Sequence, residues 1–545
     1  MLIPQGLAYG LLAGLPPQLG LYASVLPLVA YGLLGASAPL SVGPFAIASI
    51  MTASTLALLF PDPATPISHH ILAASIMACL SGAFLIALGA LRLGFLTTLI
   101  SFPVVTGFIC ACTLIIILNQ CQHILGISFS GADSLNQLTS LADQWDSIHT
   151  ITAILAVCSL SLFIALPRLL ERLFIRLGAP PPSAATYSKT APLIVITAAI
   201  IASKLLNLSD HGVVMIGTIP AGLPTLSLPE ISALNGTDSF WKEVITASFF
   251  IGMISYITSL STAQTFAVKA KQRICPNQES IALGAANMAS GLSGAFPVAA
   301  SLSRSAVSQS AGAKTPATSL FAAAGIAISC VTLPGLLSDL PLAILSALII
   351  VAIAPLINPK NARRLYDYNR PDFFIWLITL MSTLIGGLAE GLALGILLSL
   401  AHYIYRSSKP HVAICGLIEG TEHFRNVLRH EVITVPEVVS IRIDANLYFA
   451  NARFLEDTIN HLIVSYPDAK HVILQCNPIN SIDASALNSL FVCNNALKDA
   501  GITFHLSEVK GPVMDRLERS DFLSTLTGCV YLSHYQAWSE CQSTN

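Results

Sequence analysis

The sequence predicts an α-helical polytopic membrane protein that ends in a soluble α/β domain. Of its 545 residues 54% are hydrophobic and 10% are charged, and the mean hydropathy is +0.71. Soluble domains carry charge on about a quarter of their residues, so a soluble fold could not cover this much apolar surface. The charge is also uneven, because 24 of the 56 Asp, Glu, Lys and Arg residues lie in 411–545. We therefore expect a transmembrane domain over 1–409 and a soluble domain over 410–545.

Apolar stretches follow one another through the first part of the chain. Each is of the order of the ~20 residues that a helix needs to cross hydrocarbon, although several are short or interrupted by Gly and Pro. This pattern predicts a bundle of membrane-crossing helices. The stretches cover 22–37, 44–60, 71–91, 95–119, 150–166, 191–206, 244–268, 281–297, 318–333, 341–357, 373–388 and 390–405.

Basic residues occur in every other connection between these stretches, and the positive-inside rule places those connections in the cytoplasm. The alternate connections are acidic or neutral and are expected to face outward. The same alternation places the C-terminal domain in the cytoplasm. The basic connections hold Arg92, then Arg168, Arg172 and Arg176, then Lys269, Lys271 and Arg273, and then Lys360, Arg363, Arg364 and Arg370.

Two segments depart from a regular transmembrane helix. In APLSVGPFAIAS (38–49) the prolines at 39 and 44 prevent a helix over the first half, so a helix can begin only near Pro44. In 294–316 Pro297 interrupts an apolar run, and a serine-rich helix follows from about Ser301. A helix that begins at membrane depth presents unpaired N–H groups and about half a positive charge. Two such starts facing each other predict an anion site without a metal, whereas the alternative is a pair of Pro-kinked helices packed on their neighbours.

Arg304 lies in the second of these breaks. A cation inside the bilayer is costly unless it meets a partner, and no acidic residue is near it in the sequence. We expect its partner to be a transported anion or buried backbone carbonyls. The alternative is a side chain that reaches the cytoplasmic surface near Lys314.

Other classes of function lack the residues that they need. No stretch gathers Lys and Arg with interleaved aromatic residues, and the net charge is −2, so no nucleic-acid partner is expected. The 12 cysteines show no CxxC pair and no histidine spacing suited to zinc, so no metal is expected. There is no GxxxxGKS loop and no catalytic combination of side chains, so we expect neither a cofactor nor an enzyme.

Four stretches have the form of family signatures: IPQGLAYGLLAGLPPQLGLYAS (3–24), SVGPFAIAS (41–49), CPNQESIALGAANMASGLSGAFPVAASLSRSAV (275–307) and NLYFANARFLED (446–457). Together they resemble the sulfate permease (SulP) family of anion transporters. The resemblance extends over nearly the whole chain. It implies a fold of two inverted repeats of about seven segments each, arranged as a core and a gate domain. In that fold the third and tenth segments are broken, which matches the two breaks described above.

The resemblance also implies an anion site between the helix starts at Phe45 and Ser303. Gln5 and Tyr9 would line this site, and Arg304 would supply positive charge from behind. Gln5 can donate from its amide and Ser303 from its hydroxyl and backbone N–H, while the ring edges of Tyr9 and Phe45 carry partial positive charge. For Gln5, Tyr9 and Phe45 the alternative role is ordinary helix packing.

The sequence differs from the family pattern in two places. The family's first segment begins well before the PQG motif, so Met1 falls within that span, and we expect either that the true start lies further upstream or that the first segment is truncated. Proton-coupled sulfate members carry a glutamate where this chain has Thr258, and threonine cannot take up a proton. We therefore expect anion exchange or uniport instead of proton symport.

The C-terminal residues have the pattern of an α/β domain. VVSIRI (438–443), HVILQC (471–476) and ITFHL (502–506) are typical of buried strands, and 484–500 has helical spacing. This region resembles a STAS domain, the fold of anti-sigma factor antagonists, in which a serine at the position of Ser485 is phosphorylated. Phosphate there would lie at a helix N-terminus, although Asp483 and Ser485 are equally suited to be simple helix caps.

Together these observations predict a secondary transporter of small inorganic anions in the bacterial inner membrane, working by an elevator-like movement of the core against the gate. Sulfate is the first expected substrate, and bicarbonate or chloride exchange and dicarboxylate transport are alternatives. An anion channel or a membrane sensor acting through the STAS domain would be a different class of function. The expected partners are the anion, membrane lipid, a second copy in a homodimer and a cytoplasmic partner of the STAS domain.

Overall fold

A computed structural model describes residues 2–62, 64–94, 100–127, 139, 141–178, 180–188, 190–217, 222–230, 234, 237–270, 273–332 and 334–543. Met1 and Lys271, named above for the start of the first segment and for a cytoplasmic connection, lie outside these residues. The chain divides into a first unit, Met1–Leu397, and a C-terminal unit, Leu398–Asn545. The domain boundary expected at 409/410 stays a prediction.

Helices of very different length build the first unit, because Gly and Pro interrupt its apolar stretches, and the last of these helices continues past Leu397 into the C-terminal unit. Two-residue strands, β1 (Val42–Gly43) and β2 (Ala299–Ala300), lie at the two breaks. The helices are α1 (Leu2–Leu12), α2 (Gln18–Tyr22), α3 (Leu26–Leu34), α4 (Ala46–Leu59), α5 (Ile67–Ala90), α6 (Phe102–Leu125), α7 (Thr150–Arg176), α8 (Pro181–Ser188), α9 (Ala191–Leu205), α10 (Asp238–Ala270), α11 (Pro276–Leu292), α12 (Leu302–Ser310), α13 (Thr318–Thr332), α14 (Pro334–Leu337), α15 (Leu342–Ile353), α16 (Pro359–Tyr368), α17 (Arg370–Gly386) and α18 (Leu388–Ser408).

Six helical segments among the described residues are long and apolar enough to cross a membrane. Each extends beyond its predicted apolar stretch at one end or both, where the helix carries polar residues that a hydropathy pattern leaves out. Shorter apolar helices include α1 and α4, which lie next to the first break. The six long segments are Ile67–Ala90, Phe102–Leu125, Thr150–Arg176, Asp238–Ala267, Leu342–Tyr368 and Leu388–Ser408.

The helices of the first unit pack in two groups. In one group α11 packs along α5 and α3, and α10 packs against α5 and α4. In the other, α17 packs on α6, and α15 packs on α7 and α6. α1 contacts α4 of the first group and α15 of the second, and α4 also contacts α6. Both breaks flank helices of the first group, which corresponds to the expected core, and the second group corresponds to the gate.

The contact between α5 and α11 is a close approach of two backbones at glycine. A Cβ atom on Gly82 would lie 2.7 Å from the carbonyl oxygen of Gly284, and one on Gly284 would lie 2.8 Å from that of Gly82. Further along the same helices, a Cβ on Gly291 would lie 2.6 Å from the carbonyl oxygen of Ser75. Small residues let two membrane helices approach until their backbones are in contact. The glycines therefore fix α11, the helix that leads into the second break, firmly against α5.

The C-terminal unit is an α/β domain with one mixed sheet. Its strand order is β4-β3-β5-β6-β7-β8, with β5 to β8 parallel and β3 antiparallel to both of its neighbours. The strands predicted at 438–443, 471–476 and 502–506 and the helix at 484–500 are present. The elements are β3 (Val412–Leu417), β4 (Phe424–Asn426), β5 (Val438–Ile443), α19 (Ala452–Ser465), β6 (His471–Gln475), α20 (Ala484–Asp499), β7 (Thr503–Ser507), α21 (Gly511–Glu518), α22 (Phe522–Thr525), β8 (Val530–Tyr531) and α23 (His534–Ser543).

Two histidines meet on neighbouring strands of this sheet. His471 Nδ1 lies 3.2 Å from His505 Nε2, and the backbone N–H of Cys529 donates to His505 Nδ1 at 3.1 Å. Because Nδ1 of His505 accepts, its Nε2 carries the proton and donates to His471. Burial, together with the nearby His471, lowers the pKa of His505 to about 4, and burial also lowers the pKa of His534 to about 4.

We expect Gly284→Ala to destabilise the first unit by about 1–3 kcal/mol, because the added methyl group overlaps a backbone carbonyl that cannot move freely. Thermal unfolding of the purified protein measures the change. Gly325→Ala is the matched control, since it also lies within a helix but a Cβ there meets no atom within 4 Å. Equal unfolding temperatures for the two variants would contradict the close packing of α5 on α11.

We expect the C-terminal unit to lose stability as the pH falls from 6.5 to about 4. The ordinary pKa of histidine is 6.5, so over this range the unfolded chain binds a proton at His505 that the folded chain, with its pKa lowered to about 4, does not. The stabilisation is complete above pH 6.5 and decreases on acidification. Hydrogen–deuterium exchange of β7 in the full-length protein, corrected for the intrinsic pH dependence, measures it.

His505→Gln should reduce this pH dependence, with His471 and His534, whose pKa values burial also lowers, supplying the remainder. His461→Gln is the control, because His461 is exposed on α19. The same pH dependence in both variants would show that His505 does not contribute.

Candidate functional site

The two helix breaks lie side by side in the first unit. β1 and β2 pair antiparallel, with Val42 opposite Ala300 and Gly43 opposite Ala299. α4 begins at Ala46 and α12 at Leu302, so each strand runs almost directly into a helix start. Antiparallel pairing of corresponding segments is what two inverted repeats produce.

Further hydrogen bonds join the two breaks. The backbone N–H of Ser301 donates to the carbonyl of Ser41 at 3.1 Å. The backbone N–H of Ser41 in turn donates to Ser305 Oγ at 3.0 Å. The position of the first break therefore depends on that of the second.

Neither helix start is capped by a side chain. Phe45 precedes α4 and Ser301 precedes α12, both in extended backbone conformations, and neither side chain accepts a hydrogen bond from its helix. The first N–H groups of a helix need an acceptor from outside the helix. These two starts therefore offer N–H donors and the positive ends of two helix dipoles to an anion.

Arg304 joins the two breaks through its side chain, which is 4% exposed. Its Nη1 donates to the carbonyl of Pro44 at 2.9 Å and to Gln5 Oε1 at 3.2 Å. Nε and Nη2 are buried and have no hydrogen-bond partner among the described residues. The predicted contact with buried carbonyls is present, and burial excludes the alternative of a side chain at the cytoplasmic surface. A buried guanidinium that has no acidic partner in the described part of the chain, and two nitrogens without a hydrogen-bond partner there, can bind an anion.

The other predicted site residues occupy different positions around this contact. Gln5 and Tyr9 are buried on one face of α1, and Gln5 accepts from Arg304. Phe45 is half-buried at the start of α4. Ser303 is exposed on α12, and its Oγ lies 3.1 Å from Ser301 Oγ. The structure thus brings Gln5, the first break and Arg304 into contact, while Ser303 lies on the exposed side of its helix.

Thr258 is half-buried on α10, and its hydroxyl donates to the carbonyls of Ile254 and Ser255 in its own helix. The next residue, Ser259, is fully buried and accepts from the backbone N–H of Ala300 at 2.9 Å. α10 therefore contacts the second break through Ser259, a residue that the sequence analysis missed. Its signal, a serine in the apolar run of α10, is shared with several neighbours and does not single it out.

In the C-terminal unit, Ser485 is exposed at the second residue of α20. Asp483 is the N-cap, with Oδ1 accepting from the backbone N–H of Ala486 and Oδ2 from that of Phe449, both at 2.8 Å. The two residues are therefore not equivalent caps. A cavity of about 280 Å³ lies beside Asp483 and is also lined by Arg516.

His471, His505 and Cys541 in the C-terminal unit have ligand atoms within 4.8 Å of one another. A metal on Nε2 of His505 would require the proton on Nδ1, which faces the N–H donor of Cys529. The surroundings of His505 therefore do not fit a metal site.

Comparisons with known proteins agree with this architecture. The model of the sulfate permease family matches residues 1–379, and that of the STAS domain matches residues 429–537. "Probable sulfate transporter Rv1739c" of Mycobacterium tuberculosis is 31% identical over 527 residues, which cover 96% of this chain and 90% of that protein. Human solute carrier family 26 member 6 is 31% identical over 475 residues, which cover 84% of this chain and 60% of that protein.

Solved structures share the fold. A structure of SLC26A9 aligns with a TM-score of 0.86 at 22% identity, covering 100% of this chain and 88% of that one. The transmembrane domain of the cyanobacterial bicarbonate transporter BicA aligns with a TM-score of 0.59 at 21% identity, covering 73% of this chain and 94% of that one. The chain therefore belongs to the sulfate permease family of integral, multi-pass anion transporters and carries a C-terminal STAS domain.

Proposed function

We propose that this transporter carries sulfate and binds it between the starts of α4 and α12. The observation that carries the proposal is the environment of Arg304. This cation is buried beside both helix starts, and its Nε and Nη2 have no protein partner among the described residues. Positive charge, two helix N-termini and no acidic residue in this contact favour an anion. The names of relatives as sulfate transporters support sulfate as the first substrate.

In this proposal each residue has a separate role at the anion. Gln5 uses its oxygen to accept from Arg304, which leaves its amide N–H groups to donate to the anion. Tyr9 and Phe45 present ring edges, and Ser303 donates from its hydroxyl and backbone N–H on the open side of α12. Arg304 supplies charge from behind the helix starts.

We propose an elevator-like movement for transport. The two breaks are hydrogen-bonded to each other, and the second is also hydrogen-bonded to side chains of α10 and α11, so the anion site belongs to one group of packed helices. Movement of that group past α6, α7, α15 and α17 would carry the site across the membrane without dismantling it.

Bicarbonate or chloride exchange is the second candidate, because sites at helix starts select by charge and size, and the structurally similar BicA is named a bicarbonate transporter. A dicarboxylate satisfies the same donors. An anion channel or a sensor acting through the STAS domain would use the same fold without coupled transport. Thr258 favours exchange or uniport, because a hydroxyl that donates within its own helix cannot carry a proton across.

We also propose that the protein lies in the bacterial inner membrane as a homodimer with its STAS domain in the cytoplasm. A cytoplasmic protein would bind that domain. The basic connections support this orientation. Ser485 is a candidate for phosphorylation, because it is exposed at the start of α20 where the helix dipole favours phosphate.

We expect Arg304→Gln to reduce anion transport by about tenfold or more, because it removes a positive charge and hydrogen bonds from a buried site. Uptake of labelled sulfate, chloride and bicarbonate into proteoliposomes, with and without a counter-anion inside, measures the effect and identifies the substrate. Arg304→Lys keeps the charge without the planar fork of donors, so it should restore transport only in part.

Arg363→Gln, on the exposed surface of α16, is the control for the loss of one positive charge. Normal transport kinetics in folded Arg304→Gln protein would contradict the proposed anion site. Absence of flux for every anion in the wild type would contradict transport and favour the sensor.

We expect Thr258→Glu to make transport dependent on pH, with flux rising on acidification as the carboxylate takes up a proton and ceases to repel the anion. Flux in proteoliposomes over a range of pH measures this. Thr258→Gln is the matched control, because glutamine has nearly the same size as glutamate and does not titrate. Identical pH profiles for the two variants would show that position 258 lies outside the transport pathway.

A further inference from the structure

A set of polar residues outside the site predicted from sequence holds the second break in place. We propose that Asn287 and Ser290 of α11 are positioning residues, which fix the extended segment 296–300 and so determine where Arg304 and the start of α12 meet the anion. This inference rests on the anion site proposed above and identifies what aligns it.

Asn287 is fully buried and binds the backbone of Val298 from both sides of its amide. Its Oδ1 accepts from the N–H of Val298 at 2.9 Å, and its Nδ2 donates to the carbonyl of Val298 at 3.0 Å. Nδ2 also donates to the carbonyl of Leu283 at 3.0 Å. The side chain thus gives Val298 the two hydrogen bonds that a neighbouring strand would give. A flipped amide would place its oxygen against two carbonyls, so these partners fix its orientation.

Ser290 holds the same segment one helical turn further along α11. It is fully buried, and its Oγ donates to the carbonyl of Phe296 at 2.6 Å. Residues three apart lie on one face of a helix, and residues two apart lie on one edge of an extended segment. One face of α11 therefore holds Phe296 and Val298, while Ser259 of α10 holds Ala300 on the same edge.

The opposite edge of this segment faces the first break. Ala299 pairs with Gly43, and the N–H of Ser301 donates to the carbonyl of Ser41. The segment therefore lies between helices α10 and α11 on one side and the first break on the other. A shift of Val298 would move both the start of α12 and the carbonyl of Pro44 that receives Arg304. Binding groups misplaced by about 1 Å lose much of their function. A loosened segment should therefore weaken binding of the anion.

The chain offers a matched control on the same helix. Ser280 of α11 is also fully buried and donates through Oγ to a backbone carbonyl, that of Leu85 on α5 at 2.7 Å. Ser280→Ala and Ser290→Ala each remove one buried hydrogen bond of the same chemical kind. The first change affects only the packing of α11 on α5, whereas the second affects the segment that leads to Arg304.

The experiment compares Ser290→Ala, Asn287→Leu and Ser280→Ala in the full-length protein. Labelled sulfate uptake into proteoliposomes gives KM and the maximal rate, with labelled chloride as the probe if the wild type does not take up sulfate. Hydrogen–deuterium exchange of the peptide that covers 296–304 reports whether the segment is held. Asn287→Asp is avoided, because its negative charge would repel an anion directly.

We expect KM to rise about two- to tenfold in Ser290→Ala, the effect of about one hydrogen bond, and by more in Asn287→Leu. Exchange over 296–304 should be faster in both variants. Ser280→Ala should keep the KM of the wild type and normal exchange over 296–304, with a similar loss in unfolding temperature to Ser290→Ala. If Asn287→Leu does not fold, Ser290→Ala and its control decide alone.

A normal KM in Ser290→Ala together with faster exchange over 296–304 would overturn the inference, because the segment would be loosened without effect on the anion. An equal rise of KM in Ser280→Ala would also overturn it. Arg304→Gln separates the two proposals. If Arg304→Gln binds and transports normally, the anion site itself is wrong; if Arg304→Gln is impaired while both positioning variants are normal, only the positioning role is wrong.

Discussion

The guanidinium of Arg304, buried without an acidic partner among the described residues, is the constraint on which the membrane unit depends. Burying a charge is costly unless hydrogen bonds and an opposite charge compensate it. The protein supplies one carbonyl, from Pro44, and one amide oxygen, from Gln5, through a single guanidinium nitrogen. Both acceptors are neutral, so the positive charge of Arg304 remains available to an anion. The breaks of both repeats and the first helix must converge for this to occur.

Such convergence requires extended backbone inside a membrane protein, and every polar group of that backbone needs a partner. On one edge, the backbone groups of β1 and β2 form hydrogen bonds with each other. On the other edge of the second break, the side chains of Ser259, Asn287 and Ser290 act in place of a further strand. Asn287 and Ser290 can reach the break only if α11 lies firmly against its neighbours. The glycine contact between α5 and α11 provides that support and links local packing to the geometry of the site.

Sequence patterns were sufficient to predict the breaks and the contact of Arg304 with a buried carbonyl, because proline stops a helix and a charge in an apolar run must find a partner wherever it lies. The C-terminal strands and α20 were predictable from their buried-strand runs and helical spacing. The position of Ser303 on the exposed side of α12 was not, because it depends on the rotation of a short helix about its axis. Asn287 was missed for a related reason. Its partner Val298 lies beyond a proline, and only the path of the chain after that proline brings the two together.

The location of the bound anion tests the account most directly. Selenate has the shape and charge of sulfate and scatters X-rays anomalously, so a crystal of the full-length protein grown with selenate would show where an anion binds. We predict an anomalous peak between the starts of α4 and α12, within hydrogen-bonding distance of the N–H groups of these starts and next to Arg304. A selenate site elsewhere in the membrane unit, with none at these helix starts, would contradict it.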